Sequence, residues 1–216
     1  MFDSYSYFLF DFDGTLVDSM PSYERVMKKI LTDHGISFRE DLIETITPLG
    51  TQKTAEYFCS LGLSMTPDEI YGEMKRCLCD EYFYRIPAKA GVADTLSLLK
   101  KKKKSLYVLT ASPHITLDAC MERLGLAQYF DAIWSSDDFG FSKNDVQIYD
   151  RVAEAIGCKK EEILFFDDNL TACRTAKKAG LDVCAVFDAA SAQTWEDLNK
   201  TADYVLMNFA GQNKKK

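Results

Sequence analysis

The chain lacks the features that mark several protein classes. No apolar run approaches the roughly 18 residues that a membrane-spanning helix needs, and the opening Met-Phe-Asp-Ser-Tyr carries no signal-peptide pattern before strand character begins. Both absences predict a cytoplasmic protein. Histidine is scarce: the chain has 2, His34 and His114, and neither is read as a catalytic base; for His114 the plainer role is packing or capping the segment that follows it. Positive charge is in deficit, with 26 Lys and Arg against 33 Asp and Glu and a net charge of -7, which argues against non-specific nucleic-acid binding. An anionic substrate would therefore need a locally positive site. The 7 cysteines, Cys59, Cys77, Cys79, Cys120, Cys158, Cys173 and Cys184, are odd in number and dispersed, mostly within apolar patterns, and read as buried free thiols. Cys77-x-Cys79 has no second Cys or His cluster at zinc spacing. Repeats and low-complexity linkers are also missing, and the balance of 47% hydrophobic to 27% charged residues is that of an ordinary globular core.

The informative stretch is Phe8-Leu9-Phe10-Asp11-Phe12-Asp13-Gly14-Thr15-Leu16-Val17-Asp18. Phe8 to Phe10 reads as a buried strand that Gly14-Thr15 interrupts, so Asp11 and Asp13 stand at its carboxyl end. In an open parallel sheet that edge is where ligands bind. If the chain stays extended, period 2 puts both carboxylates on one side, and a divalent cation would relieve their repulsion. Magnesium suits one carboxylate plus a backbone carbonyl from this loop, which leaves the other carboxylate free for acid-base work. Asp13-Gly14 also has a plain reading as a turn pair, and the rest of the chain decides against that reading alone.

This stretch resembles the first motif of the haloacid dehalogenase-like (HAD) hydrolases, Asp-x-Asp-Gly-Thr followed by two apolar residues and Asp-Ser. The resemblance implies that Asp11 is the nucleophile that becomes an aspartyl phosphate, and that Asp13 protonates the leaving group and then activates water. An acid at position 13 argues against dehalogenation, where the halide needs no proton. It also implies three further groups, each after a strand. Thr110, ending the run Ser105–Leu109, matches the phosphate-binding hydroxyl of the second motif, with the Ala111 N–H as a backbone donor and Ser112 as a possible helper where the family often has Asn. Lys143, before the amphipathic stretch 145–156, matches the third-motif lysine, although Asn144 replaces the usual Pro. It would neutralise phosphate charge and hold Asp11 ionised. Asp167-Asp168-Asn169 closes the buried run Ile163–Phe166 and matches the fourth motif, with Asp168 as direct Mg²⁺ ligand and Asp167 as a water-mediated or outer one. An N-capping role for this cluster is compatible with that. The metal set implied is thus Asp11, Asp13, Asp168 and Asp167, with Mg²⁺ as cofactor.

Between the first and second motifs lie about seventy residues of helical pattern, near Ser22–His34, Arg39–Ile46, Gln52–Leu61 and Pro67–Tyr84, broken at Gly35, Pro48-Leu49-Gly50, Gly62 and Pro87. They resemble the α-helical cap of subfamily I, which closes the site and supplies specificity. Strands near 105–109, 131–135, 162–166, 182–187 and 203–206 alternate with helices afterwards. The predicted fold is α/β, a doubly wound Rossmann-like parallel sheet core (1–15 and 89–216) with a small α-helical cap (16–88) and hinges near Leu16–Ser19 and Ile86–Gly91. Lys100–Lys104 is read as a solvated helix end, and the closing Lys214–Lys216 is assigned no function.

The implied reaction is Mg²⁺-dependent hydrolysis of a small phosphomonoester such as phosphoglycolate, a sugar phosphate or a nucleotide. The expected partner is a small phosphorylated metabolite, with no nucleic acid or membrane, in a monomer or homodimer. A phosphomutase uses the same acids. A phosphonoacetaldehyde hydrolase is the other alternative, since Pro48-Leu49-Gly50-Thr51-Gln52-Lys53 resembles its Pro-Met-Gly-x-x-Lys segment, but Asp13 stands where those enzymes have no acid. Lys53 is either a substrate-facing residue or an exposed helix lysine. A non-catalytic phospho-ligand module ranks below these, because every charged catalytic position is present.

Overall fold

A computed structural model describes residues 2–211 and 213–215; for 48, 50 and 213–215 only the backbone is described. The chain divides into two compact units, Met1–Asp18 with Pro87–Lys216, and Ser19–Ile86.

The first unit is built on a sheet of order β3-β2-β1-β4-β5-β6-β7. Its strands are β1 (Tyr7–Phe10), β2 (Ser105–Thr110), β3 (Ala132–Ser135), β4 (Ile163–Asp167), β5 (Asp182–Val186), β6 (Tyr204–Leu206) and β7 (Asn213–Lys215). The ladders from β3 to β6 are parallel; β7 alone runs antiparallel, against β6. Five helices alternate with the parallel strands: α5 (Val92–Lys101), α6 (His114–Arg123), α7 (Val146–Ile156), α8 (Leu170–Ala179) and α9 (Trp195–Thr201). The short apolar strands obey period 2. Leu9, Leu109, Phe165 and Val183 bury themselves with Ile148 and Val152 of α7, Ala176 of α8 and Leu198 of α9. Phe8, Phe10 and Phe166 turn the other way and stack as near-parallel rings, the closest pair 4.5 Å apart. Phe130, a few residues past α6, packs edge-on against Phe10 on this second face, where the right-handed rule for parallel crossovers expects α5 and α6 in a doubly wound arrangement. The chain winds outward from β1 through β2 to β3, then resumes at β4 on the other side of β1. The carboxyl ends of β1 and β4 therefore flank the switch point, where such sheets open a crevice.

The second unit contains α1 (Met20–Asp33), α2 (Leu42–Ile46), α3 (Gly50–Ser60) and α4 (Pro67–Tyr84). Helical spacing brings Met27, Ile30 and Leu31 of α1, Ala55 and Phe58 of α3, and Ile70 and Met74 of α4 into one apolar cluster. A capping box starts α4: Glu69 N–H donates to Thr66 Oγ1 (3.3 Å) and Thr66 N–H donates to Glu69 Oε2 (2.8 Å), with Pro67 at the first turn. One carboxylate is buried here. Glu81 of α4 accepts from Ser22 (2.9 Å), from Arg85 (2.6 Å) and from Arg25.

The units divide at 18/19 and 86/87, inside the expected span of 16–88, because both chain crossings pair with each other. Val17 bridges Ala88 antiparallel, Asp18 N–H donates to the Pro87 carbonyl (3.0 Å) and Lys89 N–H to that of Leu16 (2.9 Å). Three smaller expectations change. The second helix starts at Leu42, not Arg39. The lysine run is partly tied down: Lys100 pairs with Asp131, Lys102 with Asp3, and Lys104 Nζ donates to the carbonyls of Asp3 and Tyr5. All seven cysteines are free, but only Cys120, Cys173 and Cys184 are fully buried; the others are half-buried at helix surfaces and ends. Lys216, the last of the closing basic run, lies outside the described residues. No helix among those described is long and apolar enough to cross a membrane.

Candidate active site

Asp11 comes directly after β1. Its N–H donates to the Phe166 carbonyl (2.8 Å), which carries the β1–β4 ladder one residue further and brings the side chain out at the sheet edge. The chain then turns tightly: Leu16 and Val17 N–H both donate to the Phe12 carbonyl, and Gly14 adopts φ 75°. A Cβ on Gly14 would meet the Asp168 carboxylate at 2.6–2.8 Å, so both backbone shape and space require glycine. Lys143 lies in the loop ahead of α7, where Asp145 rather than Lys143 starts the helix by accepting from Gln147 N–H (2.9 Å). The loop is anchored from below. The buried Tyr149 hydroxyl of α7 lies 3.0 Å from the Lys143 carbonyl and 3.1 Å from that of Ala172, and shares its proton between them. So held, Lys143 Nζ sits 2.6 Å from Asp11 Oδ1 and 2.7 Å from Asp167 Oδ2.

Asp167 ends β4 fully buried, and its other oxygen accepts from Asn169 N–H (2.7 Å). Asn169 in turn caps α8 through Thr171 and Ala172 N–H. Asp168 is fixed by two hydroxyls: Thr15 Oγ1 donates to Oδ1 and Ser191 Oγ to Oδ2, each at 3.0 Å. One carboxylate oxygen from each of Asp11, Asp167 and Asp168 falls within 4.8 Å of the others. A single ammonium faces these three acids, and the imbalance shifts their protonation. Burial, then the nearby carboxylates, hold the Asp11 carboxyl well above the usual range even though Lys143 opposes them. Burial and the Asp167 and Asp188 carboxylates push Asp168 up to about 7. For Lys143, burial alone would release the proton, but Asp11 and Asp167 outweigh it and keep the ammonium charged. Hard oxygen donors with surplus negative charge, clustered at a crevice, fit a divalent cation such as Mg²⁺. Asp167 gives one oxygen to the Lys143 ammonium, whereas both oxygens of Asp168 meet neutral hydroxyls.

Residues 5–180 match the family model for haloacid dehalogenase-like hydrolases. The chain belongs to that family. Among curated relatives of this HAD hydrolase is the phosphorylated carbohydrates phosphatase of Thermotoga maritima, 25% identical over 81% of each chain. Another is the phosphoglycolate phosphatase of Escherichia coli, 27% identical over 79% of this chain and 77% of the relative. Among solved structures, a Thermotoga maritima protein described as a candidate β-phosphoglucomutase superposes with a TM-score of 0.80 at 22% identity, over 93% of this chain and 94% of that one.

Of the residues singled out from the sequence, the HAD hydrolase brings Asp11, Lys143, Asp167 and Asp168 into one cluster. Asp13 is half-buried and accepts from Ser112 Oγ (2.5 Å), a contact across 99 positions of sequence. This gives Ser112, read before only as a helper, a definite partner. Thr110 is buried at the end of β2, where its Oγ1 accepts from Ser112 N–H (3.1 Å) and its carbonyl from Ser136 Oγ (3.0 Å). Ala111 is exposed beside it, and Lys53 is exposed on α3. His114 heads α6, with Nδ1 3.0 Å from Asp118 and Nε2 2.9 Å from Asp138. It ties the helix to the loop after β3, as packing rather than as a base. Thr15, Ser191 and Gly14 escaped the sequence reading as partners of Asp168. Thr15 carried a signal, being part of the first motif; Ser191 had none.

Proposed function

We propose that this HAD hydrolase is a Mg²⁺-dependent phosphatase of a small phosphomonoester, working through an aspartyl phosphate, with a phosphorylated sugar or phosphoglycolate as the substrate class that its relatives' names suggest. The observation that carries this reading is the placement of Lys143 Nζ within 2.7 Å of both Asp11 and Asp167 at the switch point of the sheet. One charged nitrogen there opposes the protonation that burial favours on the nucleophile, and can meet a phosphoryl oxygen.

In this reading an Asp11 carboxylate oxygen attacks phosphorus and the bond to the leaving oxygen breaks. Asp13 gives that oxygen its proton, so that the alcohol departs. Asp13 then takes a proton from water, whose oxygen displaces Asp11 and releases inorganic phosphate. The Ser112 bond supports Asp13 in one orientation for both transfers. Thr110 and the Ala111 N–H serve as donors to the phosphoryl oxygens. Mg²⁺, held by Asp11, Asp168, a carbonyl at Asp13 and, less directly, Asp167, would offset charge between nucleophile and phosphate. Residues 19–86 act as the specificity-bearing cap, with Lys53 as a substrate contact tested by KM in Lys53→Ala. The seven free thiols support a reducing, cytoplasmic setting.

The test is phosphate release from a panel of sugar phosphates, phosphoglycolate, nucleotides and an aryl phosphate, with Mg²⁺ or EDTA, for wild type and Asp11→Asn. Release that needs Mg²⁺ and vanishes in the variant is expected. Release that survives both would overturn the reading, and transfer to a second sugar phosphate instead of water would mark a mutase.

A further inference from the structure

The carboxylate of Asp168 is held by a chain of contacts that runs away from the crevice. Ser191 Oγ, which donates to Asp168, sits in a turn whose shape depends on Asp188. Ala190 N–H donates to Asp188 Oδ1 (2.8 Å) and Ser191 N–H to the Asp188 carbonyl (3.2 Å). Asp188 is itself buried, only 5% exposed, two residues past β5. Its other oxygen lies 2.7 Å from Lys89 Nζ, which also donates to the Phe187 carbonyl (3.0 Å). Lys89 belongs to the second chain crossing, which is paired to the first at Leu16. Thr15, next to Leu16 on that first crossing, donates directly to the other oxygen of Asp168. Both oxygens of one carboxylate are therefore tied to the same two-stranded crossing, one directly and one through Ser191, Asp188 and Lys89.

A largely buried ion pair without a positioning task is an inefficient way to close a loop, since well-packed apolar residues do so at least as well. What the Lys89–Asp188 pair adds is direction: it fixes the turn that aims Ser191. We propose that Lys89, Asp188 and Ser191 are positioning residues for Asp168, and that this network sets the affinity of the site for its divalent cation. The inference rests on the reading of Asp168 as a metal ligand. Groups that orient a ligating carboxylate commonly change metal affinity by about 10- to 100-fold when removed.

Charge and position predict opposite signs, and this makes the proposal testable. Lys89→Met removes a cation beside an acidic cluster, so a purely electrostatic role would tighten Mg²⁺ binding. A positioning role would weaken it. Ser191→Ala alters no charge and isolates position alone.

The experiment is titration of the purified full chain with Mg²⁺ by calorimetry and by tryptophan fluorescence, in a Trp134→Phe background that leaves Trp195, whose ring packs edge-on against Phe187 at 5.2 Å, as the reporter. Thermal melts run alongside. Ser191→Ala is expected to weaken Mg²⁺ binding about ten-fold, Ser191→Thr to restore it, and Lys89→Met to weaken it despite the lost positive charge. In turnover, the Mg²⁺ concentration for half-maximal rate should rise more than kcat at saturating Mg²⁺ falls. Should Lys89→Met not fold, Ser191→Ala and Ser191→Thr decide the matter. Mg²⁺ affinity within two-fold of wild type in Ser191→Ala, or tighter binding in Lys89→Met, overturns the network while leaving the metal site standing. Absence of Mg²⁺ binding by the wild type overturns both.

Discussion

Each of the two units buries carboxylates, and the crevice cluster of the sheet unit treats its acids in the opposite way to the helical unit. In the helical unit one acid, Glu81, meets two guanidinium groups and a hydroxyl. Burial alone would raise its pKa, yet the bonds from Ser22, Arg85 and Arg25 bring it below the ordinary range. In the sheet unit three acids share a single ammonium, and Asp11 and Asp168 are both held above that range. A charge buried to hold helices together is neutralised with a margin. A charge buried for chemistry is left in surplus, and the surplus is what a cation and a phosphoryl group can answer.

Removing charge from the two clusters should therefore have different consequences. The largest effect falls on Asp11→Asn: phosphate release drops by at least about a thousand-fold, as measured by released phosphate under saturating Mg²⁺. A variant that still turns over would break the comparison at its root, because the surplus would then serve no nucleophile. Next, Asp168→Asn loses Mg²⁺ affinity by about two orders of magnitude in calorimetry, and the metal-free variant melts higher than metal-free wild type. Relief of about 1 kcal/mol corresponds to a rise of about 2–4 °C for a chain of this size. A lower melting point would show that Asp168 is a structural acid like Glu81.

Glu81→Gln is the mirror experiment. It should lower stability by about 1–2 kcal/mol in denaturant titration, in line with losing charged hydrogen bonds whose arginine ends are half in water, and leave Mg²⁺ affinity unchanged. The smallest effect, and the sharpest discriminator, is pH. Asp168 has a folded pKa of about 7, above the unfolded value of about 4, so the folded state keeps a proton that the unfolded state has lost. Its contribution favours folding below about pH 4 and fades as pH rises toward 7. Glu81, with its pKa lowered, contributes stability that is present above its unfolded pKa and lost as pH falls through the folded one. Melts of the metal-free protein should thus fall from about pH 5 to pH 8. Excess Mg²⁺ should flatten that limb, and Asp168→Asn should reduce its slope.

Much of this contrast was readable from residue order. Asp11, Asp167 and Asp168 stand out because each follows a short apolar strand, and strands in a parallel sheet end at one edge whatever the loops do. Lys143 was readable for its motif and for its place ahead of the helix that Asp145 caps; its contact with Asp167 was not. The start of α4 at Pro67 was readable, and the structure closes it with a capping box of Thr66 and Glu69. What could not be read were contacts closed by the fold itself. Ser191 and Asp168 are 23 positions apart and Thr15 and Asp168 are 153 apart, and hydroxyls in turns carry no periodicity. Gly14 looked like a strand terminator; the requirement that no Cβ intrude on Asp168 exists only once β1 and β4 lie side by side. Lys89 and Asp188, 99 positions apart, meet only in the fold.

The pairing of the two crossings has a consequence for how such a chain can change over time. Asp18 and Pro87, the residues that bound the helical insertion, are joined by a backbone hydrogen bond of 3.0 Å, so the sheet meets the 68 residues between Ser19 and Ile86 as it would meet a hairpin tip. The entropy of closing a loop grows only with the logarithm of its length, about 0.6 kcal/mol per doubling. An insert of any size whose ends return to this one junction can be exchanged, lengthened or pared down while the strand order and the acids at its edge stay as they are, so a lineage can remodel the insertion without rebuilding the sheet.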